Sequence, residues 1–327
     1  MPTALATKRR APTCRPMKTA QTVRHCEAPD FLRDLDLKLD ELLYLLDLAD
    51  AVKRNPGDYA QALAGKSIAL LFEKPSLRTR LTFEIAMKQM GGGSVFVEGP
   101  IGIREPLKDV ARNLDRWCEG IVARVFSQAT VEGLAEWSSV PVVNALSDAY
   151  HPCQALADVQ TIREHFGVLQ GLKLAFVGDG NNVANSLMLS AARLGMDFAI
   201  ACPEGYDPNP DIVVQARGLA DGSGSSILIT QDPAEALAGA HTVYTDVWAS
   251  MGQEQEAVKR KKAFRALQVN EGMFALARPD AVFMHCLPAK RGEEVTDSVM
   301  ESPRSIIFDQ AENRLHAQKA LLLMLLS

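Results

Sequence analysis

The sequence predicts an α/β protein of two doubly wound parallel-sheet lobes joined by interdomain helices. Three observations carry that expectation: strand-length runs that are apolar throughout, helical patterns between them, and prolines at helix starts. A strand covered on both faces has no reason to alternate, so unbroken apolar runs separated by helices mean parallel sheets sandwiched by helices. Such runs fall at residues 67–72, 121–126, 140–144, 172–177, 198–201, 226–230, 242–244, 281–285 and 305–308. The reading is about four strands before residue 150 and about five after it, one open sheet in each half. Ahead of them, residues 40–52 repeat Leu at helical spacing and stop at Asn55-Pro56-Gly57. Pro106 and Pro152 stand in first helical turns, where a missing N–H costs nothing.

Length and composition set the outer bounds. A chain of 327 residues, 47% hydrophobic and 23% charged, fits two globular domains of ordinary size. Its net charge of −5 leaves no electrostatic footprint for nucleic acid. No apolar run reaches the length of a bilayer span, the terminal residues 320–326 being far too short. Cys14, Cys26, Cys118, Cys153, Cys202 and Cys286 are scattered without a Cys-x-x-Cys pair, which points to a reducing compartment and the cytoplasm. Residues 1–26 carry Lys8, Arg9, Arg10, Arg15, Lys18 and Arg24 but no acid. Residues 1–27 therefore read as a basic, disordered tail; a transit peptide to an organelle matrix is the alternative.

In open parallel sheets the chemistry lies beyond the carboxyl ends of the strands. Every polar cluster of this chain falls at such a turn. Glu73-Lys74-Pro75-Ser76-Leu77-Arg78-Thr79-Arg80 follows the first run and opens a helix. Unpaired N–H groups, two hydroxyls and two guanidiniums at one helix start make an anion site suited to a phosphate ester; the bland reading is a Ser N-cap with solvated arginines. Arg124 closes the second run, as a ligand or as half of a surface salt bridge. His151 and Gln154 lie three residues apart on one side of a helix start, a weak signal alone because capping histidines are common.

Gly178-Asp179-Gly180-Asn181-Asn182 invites comparison with a dinucleotide fingerprint, but Val183 stands where the third glycine belongs; Glu204 lies at a distance suited to a ribose contact. Asp246 opens a segment whose Ser250-Met251-Gly252 reads as a loop tip. In His285-Cys286-Leu287-Pro288 the imidazole and thiol are adjacent, so a strand would point them to opposite sides, and no closed set of zinc ligands accompanies them. No metal and no organic cofactor is expected.

Taken in order, these segments resemble the aspartate and ornithine carbamoyltransferase family, and closely its ornithine branch, from about Phe31 to Ser327. The shared signature is Ser76-x-Arg78-Thr79-Arg80 with His151-Pro152-x-Gln154. The ornithine-branch marks are Phe72-Glu73-Lys74, Gly178 to Asn182, Asp246-x-Trp248-x-Ser250-Met251-Gly252, His285 to Pro288 and Ala311-Glu312-Asn313-Arg314. The resemblance implies carbamoyl transfer from carbamoyl phosphate to L-ornithine, with residues 28–149, completed by the terminal helix 311–327, binding the first substrate and residues 150–310 the second. Position by position it implies Ser76, Leu77 through its N–H, Arg78 and Thr79 for the phosphate. Arg124, His151, Gln154 and Arg314, with main-chain groups of Cys286 and Leu287, would surround the carbamoyl group. Asn182, Asp246, Ser250 and Met251 would hold ornithine, and Asp246 with Cys286 would orient the amine or relay its proton. The family also implies a homotrimer. Where several relatives place a His or Gln that reaches a neighbouring subunit's phosphate, this chain has Pro100, with Arg104 and Lys108 as the nearest cations.

Overall fold

Ile68 to Phe72 is buried to within a few per cent of full exclusion, as an all-apolar run with helices on both sides requires. The structure, a computed structural model, describes residues 23–249 and 254–327. Helix α1 (Leu39–Arg54) leads into a first unit of β1 (Ser67–Phe72), α2 (Leu77–Gln89), β2 (Gly93–Glu98), α3 (Leu107–Leu114), β3 (Gly120–Arg124), α4 (Gln128–Glu136) and β4 (Val142–Leu146). After α5 (Pro152–Phe166) come β5 (Lys173–Val177), α6 (Asn182–Arg193), β6 (Asp197–Ala201), α7 (Pro210–Ser223), β7 (Ile227–Thr230), α8 (Pro233–Leu237) and β8 (Thr242–Thr245). The chain closes with α9 (Ala257–Phe264), α10 (Glu271–Phe274), β9 (Val282–His285), α11 (Asp297–Met300) and α12 (Ile307–Leu326).

Both sheets are parallel throughout, in the orders β2-β1-β3-β4 and β7-β6-β5-β8-β9. Each order reverses direction once, between β1 and β3 in the first sheet and between β5 and β8 in the second. Such switch points leave a crevice at the strand ends because successive helices depart to opposite faces. Arg124 is the last residue of β3, and the segments after β1, β5 and β8 hold Arg78, Asn182 and Asp246. One buried cluster joins the inner faces of both sheets through α1, α5, α6 and α12. The outer faces are closed by α3 and α4 on the first sheet and by α9 to α11 on the second.

Two elements depart from the sequence reading. Strand β2 lies at a sheet edge, with Val95 and Val97 59% and 52% exposed, so it lacks the unbroken apolar run of a covered strand. The run at 305–308 forms no strand: Ser305 makes a single bridge to Phe283, and α12 starts at Ile307.

The Gly178 turn has its own explanation. A Cβ on Gly180 would stand 2.2 Å from the Pro208 nitrogen and 2.3 Å from the Asp207 carbonyl carbon. The close approach that a fingerprint glycine grants to a pyrophosphate is here taken by the protein's own β6–α7 connection, whose Tyr206 carbonyl accepts the Gly180 N–H at 2.9 Å. Gly180→Ala should therefore destabilise the fold by about 2 kcal/mol or more, read from urea denaturation; an unchanged midpoint would mean that the two backbones separate freely.

Candidate active site

A cleft of about 1300 Å³ opens at the carboxyl ends of both sheets. Its first wall starts at the β1–α2 turn. Ser76 caps α2, its hydroxyl accepting the Thr79 N–H at 3.3 Å, and the remaining first-turn N–H groups have no carbonyl one turn below them. Glu73 sets the shape of this turn. Its carboxylate accepts the N–H groups of Ile101 (3.2 Å) and Phe126 (2.7 Å), and its own N–H donates to the Arg124 carbonyl at 2.9 Å. Arg124 sits where the β3–β4 register slips by one residue, an irregularity that re-aims a strand-end side chain. Of the two arginines in the turn only Arg78 lines the cleft; Arg80 lies over the Phe96 ring and pairs with Glu84 at 2.8 Å.

Among the described residues of this wall, the cations Lys74, Arg78, Arg124 and Arg314 outnumber the carboxylate of Asp148. Burial pushes Arg124 down to about 10, and the guanidiniums of Arg314 and Arg78 add to the effect. Burial likewise lowers Arg314 and Arg78. His151, the N-cap of α5, is held well below its ordinary value first by burial and then by those three cations, so its ring is neutral. Its Nδ1 meets no partner among the described residues, and its N–H is anchored on the Ser186 hydroxyl at 3.0 Å. Arg314 comes from α12, donating to the Thr79 hydroxyl at 3.0 Å and to the Gln154 carbonyl oxygen at 2.6 Å. Four cationic or polar side chains are thus gathered around a space suited to a compact anion.

The second wall belongs to the five-stranded sheet. The Asp246 carboxylate accepts from Asn181 Nδ2 at 2.8 Å, from the Val247 N–H at 2.8 Å and from the Cys286 thiol at 3.0 Å. Burial and the Asp246 charge push the Cys286 thiol well above its usual range, which makes it a hydrogen-bond donor and a poor nucleophile. Asn182 reaches across to the Ser147 carbonyl at 2.6 Å, while Asn181 caps α6. Leu287, with φ of 60° before a cis Pro288, gives its N–H to His285 Nδ1 at 2.9 Å, leaving its carbonyl as the main-chain group open to a ligand.

Of the residues singled out from sequence, Ser76, Leu77, Arg78, Thr79, Arg124, His151, Asn182, Asp246, Cys286, Leu287 and Arg314 line this one cleft. Gln154 does not; it is 1% exposed and lies one hydrogen bond behind, on Arg314. Ser250 and Met251 lie outside the described residues. Sequence reasoning missed Glu73 and Asn181 as organisers, although both stand inside the quoted motifs. It also missed Arg260, which lies far along the chain on α9 and pairs with Asp179 at 2.7 Å in the wall of the cleft.

Asp246, His285 and Cys286 bring donor atoms within 4.8 Å of one another, a set that could take a metal ion. Each is already committed: both His285 ring nitrogens have partners, in Glu294 and the Leu287 N–H, and the other two residues pair with each other.

The neutral state of His151 has a measurable sign. Below about pH 6.5 the unfolded chain takes up a proton here that the native state does not, so stability should fall on acidification, by up to about 1.4 kcal/mol per pH unit. His151→Gln should flatten that slope in denaturation curves between about pH 5 and pH 6.5. An identical slope in the variant would contradict the neutral assignment.

Comparison with known proteins agrees with this geometry. Residues 29–164 match the family model for the aspartate/ornithine carbamoyltransferase carbamoyl-P binding domain, and residues 170–325 that for its Asp/Orn binding domain. The ornithine carbamoyltransferase of Anoxybacillus flavithermus is 51% identical over 91% of this chain and 96% of its own length. That of Thermus thermophilus is 53% identical over 88% and 93%. The solved ornithine carbamoyltransferase of Pyrococcus furiosus superposes with a TM-score of 0.88 at 47% identity, covering 91% of this chain and 97% of that one. With both halves matched in order and the two walls facing one cleft, the chain belongs to the aspartate/ornithine carbamoyltransferase family.

Proposed function

We propose that this protein transfers the carbamoyl group of carbamoyl phosphate to the δ-amine of L-ornithine, giving L-citrulline and phosphate. The observation that carries the reading is the opposition, across one cleft, of a cationic wall and a wall built around a carboxylate. A dianionic acyl phosphate suits the first wall and an α-ammonium the second. Residues 28–149 with the terminal helix 311–327 would hold carbamoyl phosphate, and residues 150–310 ornithine.

In this reading Ser76, the Leu77 N–H, Arg78 and Thr79 take the phosphate oxygens. Arg124, Thr79 and neutral His151 point donors at the carbamoyl oxygen, where negative charge grows as the carbon turns tetrahedral. Arg314, held from behind by Gln154, frames the rest of the group with the carbonyls of Cys286 and Leu287. Asn182 and Asp246 receive the amino-acid end together with Ser250 and Met251. The δ-amine, a lysine-like group with pKa near about 10.4, must lose a proton before it attacks. Its lone pair then bonds to the carbamoyl carbon, the carbon–oxygen bond to phosphate breaks, and the nitrogen's surplus proton leaves with the phosphate. The Cys286 thiol keeps Asp246 oriented for this substrate, because it donates rather than ionises.

A trimer suits the surface. Leu77, Leu81 and Ile85 of α2 and Val95 and Val97 of edge strand β2 are exposed apolar side chains on adjacent elements, and Arg104 and Lys108 lie close by in sequence and exposed. An uncovered apolar sheet edge is a liability unless another chain covers it. The free thiols at Cys26, Cys118, Cys153, Cys202 and Cys286 fit work in the reducing cytoplasm, and no described helix is long and apolar enough to cross a membrane.

A citrulline assay tests the function. Ornithine should be carbamoylated far faster than acetylornithine, putrescine or aspartate offered in parallel, and Arg124→Ala should lower turnover roughly a hundredfold or more. A preference for another acceptor would overturn the ornithine assignment, and a tenfold or smaller loss would remove Arg124 from the reaction. Sedimentation equilibrium should read three times the chain mass; a monomer would rule out the trimer.

A further inference from the structure

Behind the cleft lies a carboxylate that touches neither wall. Asp158, on α5, is fully buried, and its two oxygens accept three hydrogen bonds from neutral donors. Gln154 Nε2 donates at 2.8 Å and Gln310 Nε2 at 2.7 Å to one oxygen, and the Tyr244 hydroxyl donates at 3.1 Å to the other. These donors come from α5, α12 and β8. Beyond them the chain of bonds continues both ways. Gln154 accepts from Arg314, which reaches Thr79; Gln310 accepts the His285 N–H at 3.0 Å, one residue before Cys286. Asp158, Gln154, Gln310 and Tyr244 all stay out of the cleft lining.

We propose that Asp158 is a positioning residue for carbamoyl transfer: through Gln154 and Gln310 it fixes where Arg314 and the His285-Cys286 backbone stand relative to each other. Two facts favour this over a purely stabilising role. A buried carboxylate without a directly bonded cation costs folding free energy that an apolar side chain of similar volume would not, and burial raises this carboxyl to about 7. The orientation of both amides also depends on it. With each NH₂ turned to Asp158, each carbonyl oxygen faces outward, one to the cationic wall and one to the strand beside the thiol. A flipped amide would set oxygen against oxygen at Asp158 and donor against donor at its far end.

The inference rests on the proposed function, and one citrulline assay separates the two. If the wild-type chain makes no citrulline from carbamoyl phosphate and ornithine, the function fails first. With an active wild type, Asp158→Leu leaves three buried donors without this acceptor and should lower the melting temperature, while the enzyme that stays folded should lose about tenfold or more in kcat, with a raised KM for carbamoyl phosphate. Asp158→Asn, which keeps an acceptor for the two amides, should recover most of that loss. Should the Leu variant fail to fold, Gln310→Met reads the same link, because it removes the arm to His285, with the Gln310 bonds to Asp158 and Tyr244, while leaving Gln154 on Asp158, and should lower kcat by about tenfold. Wild-type kcat and KM in a folded Asp158→Leu or Gln310→Met variant, or an Asn variant as impaired as the Leu variant, would overturn the proposal.

Discussion

Gathering Arg78, Arg124 and Arg314 around one space costs free energy while no anion fills it, because each guanidinium gives up hydration and Arg124 also feels the other two. The surrounding structure is arranged to tolerate that cost. Arg314 rests on neutral acceptors, Thr79 and Gln154, so its charge is positioned without being cancelled. Arg80, which would add a fourth cation from the same turn, is neutralised by Glu84 and turned onto Phe96. His151 responds to the same field by staying unprotonated, which leaves it able to donate or accept without adding to the repulsion. An incoming phosphate dianion would relieve the strain of all these groups together, and binding energy of that kind can be directed at the reacting carbon.

The fold supplies the convergence through its two switch points. Each sheet reverses strand order once, and the turns on either side of the reversal carry the side chains that meet in the cleft. Helices α5 and α12 pack into the core shared by both sheets, so they act as rigid spacers. That explains why Arg314, near the end of the chain, can bond to Thr79, near its beginning. It also explains why a single carboxylate on α5 can touch groups leading to both walls.

Much of this was legible in the sequence because the signals are local. Unbroken apolar runs marked the covered strands, and the hydroxyl-arginine turn after β1 marked the anion site. Strand β2 escaped because an edge strand with solvent on one side loses the apolar signature, and the run at 305–308 misled because the start of a buried helix is equally apolar. The cleft residues came from motifs, yet motifs do not say which way a side chain turns. Arg80 and Gln154 stand in the signature, but one is stacked outward and the other sits behind Arg314. Asp158, Gln310 and Arg260 carry no local mark: apart from one neighbour four residues away for Asp158 and for Arg260, their partners lie on other elements, and only the assembled core brings them together.

The Gly178 turn shows how one motif can serve two opposed ends. A glycine that elsewhere admits a cofactor's phosphates here admits a neighbouring loop, which closes the second wall behind Asp246. The central claim, that one cleft brings an acyl phosphate and an amine into reacting distance, is tested most directly by a crystal structure with a bisubstrate mimic: a phosphonoacetyl group joined to the δ-nitrogen of ornithine. The account predicts the phosphonate on Arg78 and the first turn of α2, the linking carbonyl beside Arg124 and His151, and the α-amino end at Asp246. A mimic whose phosphonate lies away from Arg78 and Arg124, or whose amino-acid end leaves the cleft, would contradict it.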